Sequence, residues 1–328
     1  GDSSSQDRYT EAARLARRAS VPEVEWRSLY ALGRLAKASG DLTKSQQLLD
    51  EALNVAERLG RGQSGVSVEH DRDDLYADAI ELAVEFGELP KAYLYMERAR
   101  ARALLDVLAS RTVTLPSVQA KEAMAAELRA REARIAAARD VRLGVQGARE
   151  RLRKADAAHE AALRQLRRKF PRLARTFTIN PVRLEDLQAQ LPSYTVVASF
   201  FVGRNNTTVL VITRFTVKVF ELDFSRKSLS DKVDRFRRAM RAFGAVDDDI
   251  SELAHMLVEP IRSAIKGARV LVVLPHGPLY HVPFGALLLD GEPLLEHMAV
   301  ATAPSGSVLF DQLRLPPRPH PTNVMVLA

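Results

Sequence analysis

The sequence has no cysteine, only 6% aromatic residues and no long hydrophobic run in its 328 residues. Without cysteine the chain can form neither a disulfide scaffold nor a thiolate metal site, and it supplies no cysteine nucleophile. The longest apolar run, 195–202, is far shorter than the roughly 20 residues that cross a bilayer, and the polar start Gly1–Ser5 is unlike a signal peptide. We therefore expect a soluble, cytoplasmic protein with no membrane partner.

The net charge of +7 is concentrated in one segment. Residues 121–175 contain 16 Lys and Arg against 7 Asp and Glu, so the remainder of the chain is close to neutral. We favour a solvated helix exterior as the interpretation of this basic face. The alternatives are contact with nucleic acid and contact with an acidic protein.

The pattern along the chain predicts a multidomain protein, α and then α/β. Its 46% hydrophobic and 27% charged residues are ordinary for globular proteins, and the length suits two or three domains. We predict tetratricopeptide-like helical repeats over 1–112, a basic antiparallel helical hairpin over 113–175 and an incomplete α/β domain over 176–328.

The helical repeats are predicted from small and apolar residues that recur around two glycine turns. The first set is Leu32, Gly33, Ala36, Gly40, Asp41, Ser45, Leu49 and Ala52, and the second is Ala79, Ile80, Ala83, Gly87, Ala92, Met96 and Ala99. Both sets resemble the small-residue frame of the tetratricopeptide repeat, whose period is about 34 residues. Because Gly40 and Gly87 lie further apart than one period, the polar stretch 60–74 is predicted to be a loop or a lengthened helix end. Since such repeats are stable only when stacked, we expect further repeats before Gly1.

The hairpin is predicted from apolar residues spaced along otherwise charged helices. These are Leu128, Ile135, Val145, Leu152 and Leu166. Gly144 and Gly147 interrupt the pattern, and each costs about 1 kcal/mol inside a helix. Two antiparallel helices that turn near Gly144 explain both observations.

The α/β domain is predicted from β-branched and apolar runs that begin after Pro171. The predicted strands are Tyr194–Val202, Thr207–Thr213, Phe215–Leu222, Arg269–Leu274, His297–Thr302 and Asn323–Leu327, and the predicted helices are Leu229–Phe243, Asp248–Ile265 and Ser305–Leu313. Gly203–Asn206 is a hairpin turn signal, and Ser305 is a helix N-cap. Because a buried strand at the last residues needs neighbours, we expect the rest of the domain to follow Ala328.

Two stretches carry a resemblance to a known family. Residues 96–108 read MERARARALLDVL; residues 270–287 read VLVVLPHGPLYHVPFGAL, followed by LLE at 294–296 and APS at 303–305. In this order they resemble the CHAT family of caspase-like peptidases associated with tetratricopeptide repeats. The resemblance implies that 176–328 is the first half of a caspase-like α/β domain.

The resemblance also implies a catalytic His–Cys dyad, which the family places after the point where this sequence stops. No residue here matches either motif, so no catalytic residue is assigned and we expect the chain to be inactive alone.

The implied function is the regulatory, partner-binding and scaffold portion of a cysteine peptidase. Its partners would be a protein or peptide on the helical repeats and the catalytic half of the same domain. The alternative is a stand-alone adaptor with a degenerate caspase-like domain. An arbitrary sequence boundary and natural processing both remain open as explanations for the missing half.

Four polar residues follow the predicted strands and are candidate site residues. His276 and His281 are expected to be structural, the alternatives being contact with the missing half or with a metal ion. Ser305 and Ser307 lack the G-x-S-x-G pattern of a serine nucleophile. The sequence contains no phosphate-binding glycine motif. We therefore predict no cofactor and no metal.

The arginine run Arg98, Arg100 and Arg102 alternates around its helix. We expect at least one of these side chains to be exposed, and we expect the run to pair with acidic groups on the hairpin or on the α/β domain. It is not predicted to be a functional site.

Overall fold

The computed structural model describes residues 2–19, 21–58, 66–109, 118–142, 145–169, 181–242 and 244–315. The helices are α1 (Asp2–Ala19), α2 (Pro22–Ala38), α3 (Leu42–Arg58), α4 (Val66–Glu85), α5 (Leu89–Ala109), α6 (Val118–Arg142), α7 (Ala148–Lys169), α8 (Leu184–Gln190), α9 (Arg226–Arg241), α10 (Asp247–Leu257), α11 (Arg262–Ile265), α12 (Leu294–His297) and α13 (Gly306–Leu313). The strands are β1 (Thr195–Val202), β2 (Thr207–Ile212), β3 (Val217–Leu222), β4 (Val270–Leu274), β5 (Leu288–Leu289), β6 (Glu292–Pro293) and β7 (Ala299–Thr302). Short 3-10 turns occupy Glu259–Ile261, Gly277–His281 and Phe284–Ala286.

Helices α1 to α5 form the helical arm, in which successive helices pack against each other. The α2–α3 and α4–α5 turns have the same geometry: Gly40 and Gly87 adopt φ of +82° and +71°, a conformation that glycine adopts without strain. A Cβ atom on Gly33 would lie 2.9 Å from the Cδ2 atom of Leu49, so the small residue lets α2 approach α3 closely. The succession of helices is confirmed, whereas the assignment to the tetratricopeptide repeat stays a prediction. Helix α4 begins inside the polar stretch 60–74, and residues 59–65 lie outside the described ranges.

Helices α6 and α7 lie side by side as an antiparallel pair. Arg134 and Asp156 join them through an ion pair of 2.6 Å. Gly147 adopts φ of +71° in the turn, and Gly144 lies outside the described residues. The pair therefore has the arrangement that the sequence predicts.

The five-stranded sheet has the order β3-β2-β1-β4-β7. Strand β1 is antiparallel to β2 and parallel to β4, and β4 is parallel to β7. The turn Gly203–Asn206 closes the first hairpin with a bond from the Gly203 N–H to the Asn206 carbonyl. The predicted strands are thus present, except that Asn323–Leu327 lies outside the described residues.

The sheet is covered on both faces. Alternate residues of β1 point to opposite sides: Val197 and Phe201 pack against the arm helices, α8 and α13, whereas Ala198 and Phe200 pack against α9, α10 and α11. The last two arm helices therefore share one hydrophobic core with the α/β domain.

Several predicted bounds shift by one to three residues, such as the helix predicted from Leu229, which begins at Arg226, and two differences have a clear physical cause. The helix predicted over Asp248–Ile265 is interrupted after Leu257, because Pro260 has no N–H to donate and introduces a 3-10 turn before α11. The strand predicted from His297 begins at Ala299, because His297 ends α12. Within the ranges given above, no helix combines the length and apolar character that a membrane crossing requires.

Candidate functional site

Glu97 and Arg100 of α5 form a buried ion pair where the arm meets the sheet. The side chains lie one helical turn apart, only 1% of each is exposed, and the Nη1 atom of Arg100 lies 3.0 Å from the Oε1 atom of Glu97. Charges removed from water need strong partners, because an uncompensated buried charge costs several kcal/mol. Each member of the pair finds further partners in the α/β domain.

Arg100 binds the ends of the two central parallel strands. Its Nη2 atom donates to the Ser199 hydroxyl at 2.9 Å, to the Phe200 carbonyl at 2.6 Å and to the Leu274 carbonyl at 3.2 Å. Its Nε atom reaches the Pro275 carbonyl at 3.4 Å. The guanidinium therefore bridges β1 and β4 at their carboxyl ends, the edge at which open α/β sheets usually bind ligands.

Strand β1 is longer than its neighbour, which explains why side chains are needed at this edge. The pairing of β1 with β4 ends at Ser199 and Leu274, and Pro275 follows with no N–H to extend the ladder. The backbone groups of Phe200 and Val202 beyond this point therefore need other partners. Arg100 supplies the first of them.

His276 and Arg226 supply the other partners. The Nδ1 atom of His276 accepts the Val202 N–H at 3.2 Å, and the Nη2 atom of Arg226 donates to the Val202 carbonyl at 2.8 Å. Arg226 also bonds to Asp73 of α4 at 2.6 Å. Arg226 therefore forms a second connection between the sheet edge and the arm.

His276 is buried and neutral. Its ring stacks on Phe201 with 4.4 Å between centroids. Burial, followed by the nearby charges of Arg100 and Arg226, lowers the pKa of His276 to about 3. An acceptor Nδ1 requires the uncharged ring, so the low pKa agrees with the hydrogen bond from Val202.

Glu97 holds the beginning of α13. Its two carboxylate oxygens accept the backbone N–H groups of Gly306 at 2.9 Å and Ser307 at 3.1 Å, and the Ser307 hydroxyl at 3.3 Å. A carboxylate is favoured at a helix N-terminus because the N–H groups there have no partner within the helix. The same turn of α5 thus holds two strand ends and one helix end.

Gly306 allows this close approach. A Cβ atom at this position would lie 2.0 Å from the hydroxyl of Tyr93, which is also on α5. That hydroxyl is buried and has no hydrogen-bond partner among the described residues. Any larger residue at 306 would therefore push α13 away from α5.

The predicted candidates separate into different environments. His276 is structural, whereas His281 is exposed at the end of its 3-10 turn. The Ser305 hydroxyl accepts the Val308 N–H at 3.2 Å, which confirms the predicted N-cap, and the Ser307 hydroxyl bonds to Glu97. These contacts give both hydroxyls a structural role.

The arginine run divides between the arm and the sheet. Arg98 forms two bonds of 2.7 Å to Glu57 of α3, Arg100 is buried at the sheet, and the side chain of Arg102 lies outside the described residues. The expected pairing with acidic groups of the hairpin or the α/β domain was therefore wrong for Arg98 and Arg100, whose acidic partners Glu57 and Glu97 lie in the arm itself. The importance of Arg100 was missed, although it shares a helix face with the buried residues Tyr93, Met96 and Glu97. That spacing was the available signal.

No group of three or more His, Asp or Glu residues that could hold a metal ion occurs in the described part of the chain. The hydrogen bonds and ion pairs of Glu97 and Arg100 connect the last arm helix to the carboxyl edge of the sheet.

These features define a class of protein in which a helical arm forms one layer of a mixed α/β sheet domain. The family model of the CHAT domain matches residues 247–328, which agrees with the family that the sequence resembles. No curated protein matches the chain significantly. The matched range contains His276, Gly306 and Ser307, whereas their partners Glu97, Arg100 and Val202 lie outside it.

Proposed function

We propose that this chain is the regulatory and scaffold portion of a CHAT-type cysteine peptidase. In this proposal, a protein or peptide binds the helical arm, and α5 relays that event to the carboxyl edge of the sheet. The catalytic cysteine would have to come from outside these residues, since none of the 328 is cysteine. The contact of Arg100 with both β1 and β4 is the observation that carries the proposal.

The relay is supported by the cost of moving α5. Arg100 and Glu97 are buried charges whose partners are two strand ends and one helix end. A displacement of α5 by more than about 1 Å would lengthen these bonds beyond useful range. The sheet edge would then have to move with α5 or leave buried charges unpaired, which is strongly unfavourable. Arm position and sheet geometry are therefore coupled energetically.

The proposal is tested on the native complex. The protein is purified from its source cells together with any polypeptide that is covalently linked or tightly bound to it. We expect a cysteine-directed peptidase probe to label a polypeptide segment outside these residues, and the purified chain alone to show no proteolysis. Arg100→Lys keeps the charge but loses the fork geometry, so labelling should fall several-fold.

The matched control is Arg98→Lys, because Arg98 lies on the same helix but bonds within the arm. Its labelling should equal that of the wild type. Proteolysis by the purified chain alone, or labelling that is indifferent to Arg100→Lys, would overturn the proposal.

A stand-alone adaptor with a degenerate caspase-like domain is the second candidate. It is favoured by one observation: buried Arg100 and His276 fill the sheet edge at which a ligand would bind. An adaptor should bind its partner without any cysteine-probe labelling in the isolated complex. The same isolation experiment therefore separates the two candidates.

A further inference from the structure

The outer edge of β7 has unpaired backbone groups. Strand β7 lies at one end of the sheet, next to β4. On its inner side, the N–H groups of Ala299 and Ala303 each donate at 3.0 Å to a carbonyl of β4 or of the residue before it. Because the backbone groups of successive residues alternate between the two sides of a strand, those of Val300 and Thr302 point outward. They have no backbone partner in the described part of the chain.

The other edge of the sheet is protected, whereas β7 is not. Edge strands of natural proteins usually carry charged side chains, proline or a bulge, which oppose pairing with another chain. Strand β3, at the opposite edge, has exposed Lys218 and Glu221. Strand β7 reads Ala-Val-Ala-Thr and has neither a charge nor a proline, and the acidic residues Glu292 and Glu296 precede it in the sequence. Strand β7 is therefore the edge that can accept a further strand.

One face of β7 is uncovered as well. Val272 of β4 packs into the core that the arm shares with the sheet, and its neighbour on β7 is Ala301. Since paired neighbours point to the same face of a sheet, Ala299 and Ala301 point to the arm side. Both are nevertheless exposed. The layer that the arm and α13 form therefore ends before β7.

Two large apolar side chains are exposed near the two ends of β7. Leu295 belongs to α12, which directly precedes β7, and is 60% exposed. Tyr280 is 49% exposed, and its hydroxyl lies 3.4 Å from the carbonyl oxygen of Pro304, just after β7. Exposed apolar groups beside a free strand edge indicate a protein contact surface. We name Tyr280, Leu295 and the exposed residues of β7 the β7 surface.

We propose that the β7 surface binds an extended, apolar strand of the polypeptide segment that carries the catalytic cysteine. The unpaired N–H and C=O groups require a partner in β conformation, because a helix uses its backbone groups internally. The exposed alanines, Leu295 and Tyr280 require apolar side chains in that segment and an element that covers them. This inference rests on the proposed function for the existence of the cysteine-bearing segment. It goes further by naming the edge at which that segment joins the sheet.

A second copy of this chain fits the β7 surface less well. Two short strands that pair without further packing are only marginally stable in water. A copy that paired through its own β7 would bring the same uncovered alanines to the same face, and they would remain in water. A segment with a hydrophobic core of its own supplies a covering layer together with the strand.

The absence of cysteine from the chain allows a labelling test. Ala301→Cys introduces one thiol, whose reaction with a maleimide is followed by mass spectrometry of the peptide that contains position 301. In the purified chain this thiol should react quickly, because Ala301 is exposed. In the native complex from the source cells the reaction should be about tenfold slower or more, since a buried thiol reacts only during local opening. The matched control is Lys218→Cys on the β3 edge, which should react equally fast in both samples.

A proline variant tests the backbone pairing. Thr302→Pro removes an outward N–H group, a change that an edge strand tolerates. In a native complex that carries both changes, the thiol at position 301 should regain most of the reactivity that it has in the purified chain. Glu221→Pro is the matched control, because Glu221 lies opposite Thr208 at an outward position of the β3 edge. It should leave the protection of position 301 unchanged.

Far-UV circular dichroism and thermal melting of the purified variants establish that each is folded. If Thr302→Pro does not fold, hydrogen–deuterium exchange of the wild-type peptide that contains β7 replaces it, and exchange should be slower in the complex than in the purified chain.

Equal reactivity of position 301 in the chain and in the complex would refute the inference. Protection that Thr302→Pro leaves intact, or equal protection of both sheet edges, would do the same. Protection that grows with the concentration of the purified chain would show that a second copy occupies the surface, against the proposal. Cysteine-probe labelling together with a freely reactive position 301 overturns this inference alone. Absence of probe labelling overturns the proposed function, and this inference then falls with it.

Discussion

The Nη2 atom of Arg100 lies 2.6 Å from the carbonyl oxygen of Phe200, although 100 positions separate the two residues in the sequence. This bond replaces the ladder bond that β4 would have made had it continued past Pro275. A side chain of the helical arm thus completes the edge of a sheet in another part of the chain. The contacts of Glu97 and Arg100 with the α/β domain are therefore expected to contribute to the free energy of unfolding of the whole chain.

Arg100→Ala should destabilise the folded chain by about 3–5 kcal/mol, because it leaves the Glu97 carboxylate buried without its cation. The free energy of unfolding from urea denaturation measures the loss. Arg129→Ala, at an exposed position of α6, is the control and should stay within about 0.5 kcal/mol of the wild type. Combining Arg100→Ala with Glu97→Gln should recover part of the loss, since the uncompensated charge is removed. A cost below about 1 kcal/mol for Arg100→Ala would contradict the importance given to the pair.

Gly306→Ala should destabilise the chain, because the new Cβ atom would meet the Tyr93 hydroxyl at 2.0 Å. Tyr93→Phe removes that hydroxyl and should by itself be neutral or stabilising, since the hydroxyl has no hydrogen-bond partner among the described residues. The double variant should therefore be more stable than Gly306→Ala alone. Thermal melting of the four proteins gives the comparison. Failure of Tyr93→Phe to rescue Gly306→Ala would show that another contact limits the space.

His276 should make stability fall with acidification. Its folded pKa of about 3 lies below the ordinary value of 6.5, so the unfolded chain takes up a proton first as the pH falls. The contribution is complete above pH 6.5 and is lost progressively between pH 6.5 and 3, with a slope of at most about 1.4 kcal/mol per pH unit.

His276→Gln removes this titration, so its unfolding free energy should depend less on pH over the same interval. His255→Gln is the control, because His255 is exposed on α10. Parallel pH profiles for the wild type and His276→Gln, measured by urea denaturation, would show that His276 is not held neutral by folding.

The basic hairpin should not bind nucleic acid. Arg151 of α7 is paired with Asp140 of α6, and Arg149 and Arg153 are exposed, as expected for a solvated helix exterior. Fluorescence anisotropy with duplex DNA and with single-stranded RNA at physiological ionic strength should therefore show no binding. Binding that falls steeply with added salt, and that disappears when all three arginines are changed to glutamate, would establish the opposite.

Much of the fold follows from local sequence patterns. The runs that became β1 and β2 are apolar and β-branched on both sides of Gly203–Asn206, and Ser305 is a cap residue directly before α13. Each of these signals acts within a few residues, so no knowledge of the rest of the chain is needed. The interruption at Pro260 has a local signal as well, because a proline inside a periodic pattern removes one N–H donor from the helix.

The contacts that Glu97 and Arg100 make with the α/β domain could not be predicted in the same way. An arginine in a helix rich in alanine and leucine is normally an exposed residue. Arg100 is buried because β1 extends past β4. The sequence around residue 100 carries no information about the relative lengths of these two strands. Glu97 likewise depends on the position of α13, more than 200 residues further along the chain. Long-range geometry determines both roles.

Because α4 and α5 share a hydrophobic core with the sheet, the arm and the α/β domain are not independent domains joined by a flexible linker. Cutting the gene between them would strip one side of the sheet and leave its apolar residues in water. A chimaera with a different helical arm is expected to fold only if that arm has residues equivalent to Tyr93, Glu97 and Arg100. Recombination that exchanges arms is therefore expected to preserve this final helix pair and to vary the helices before it.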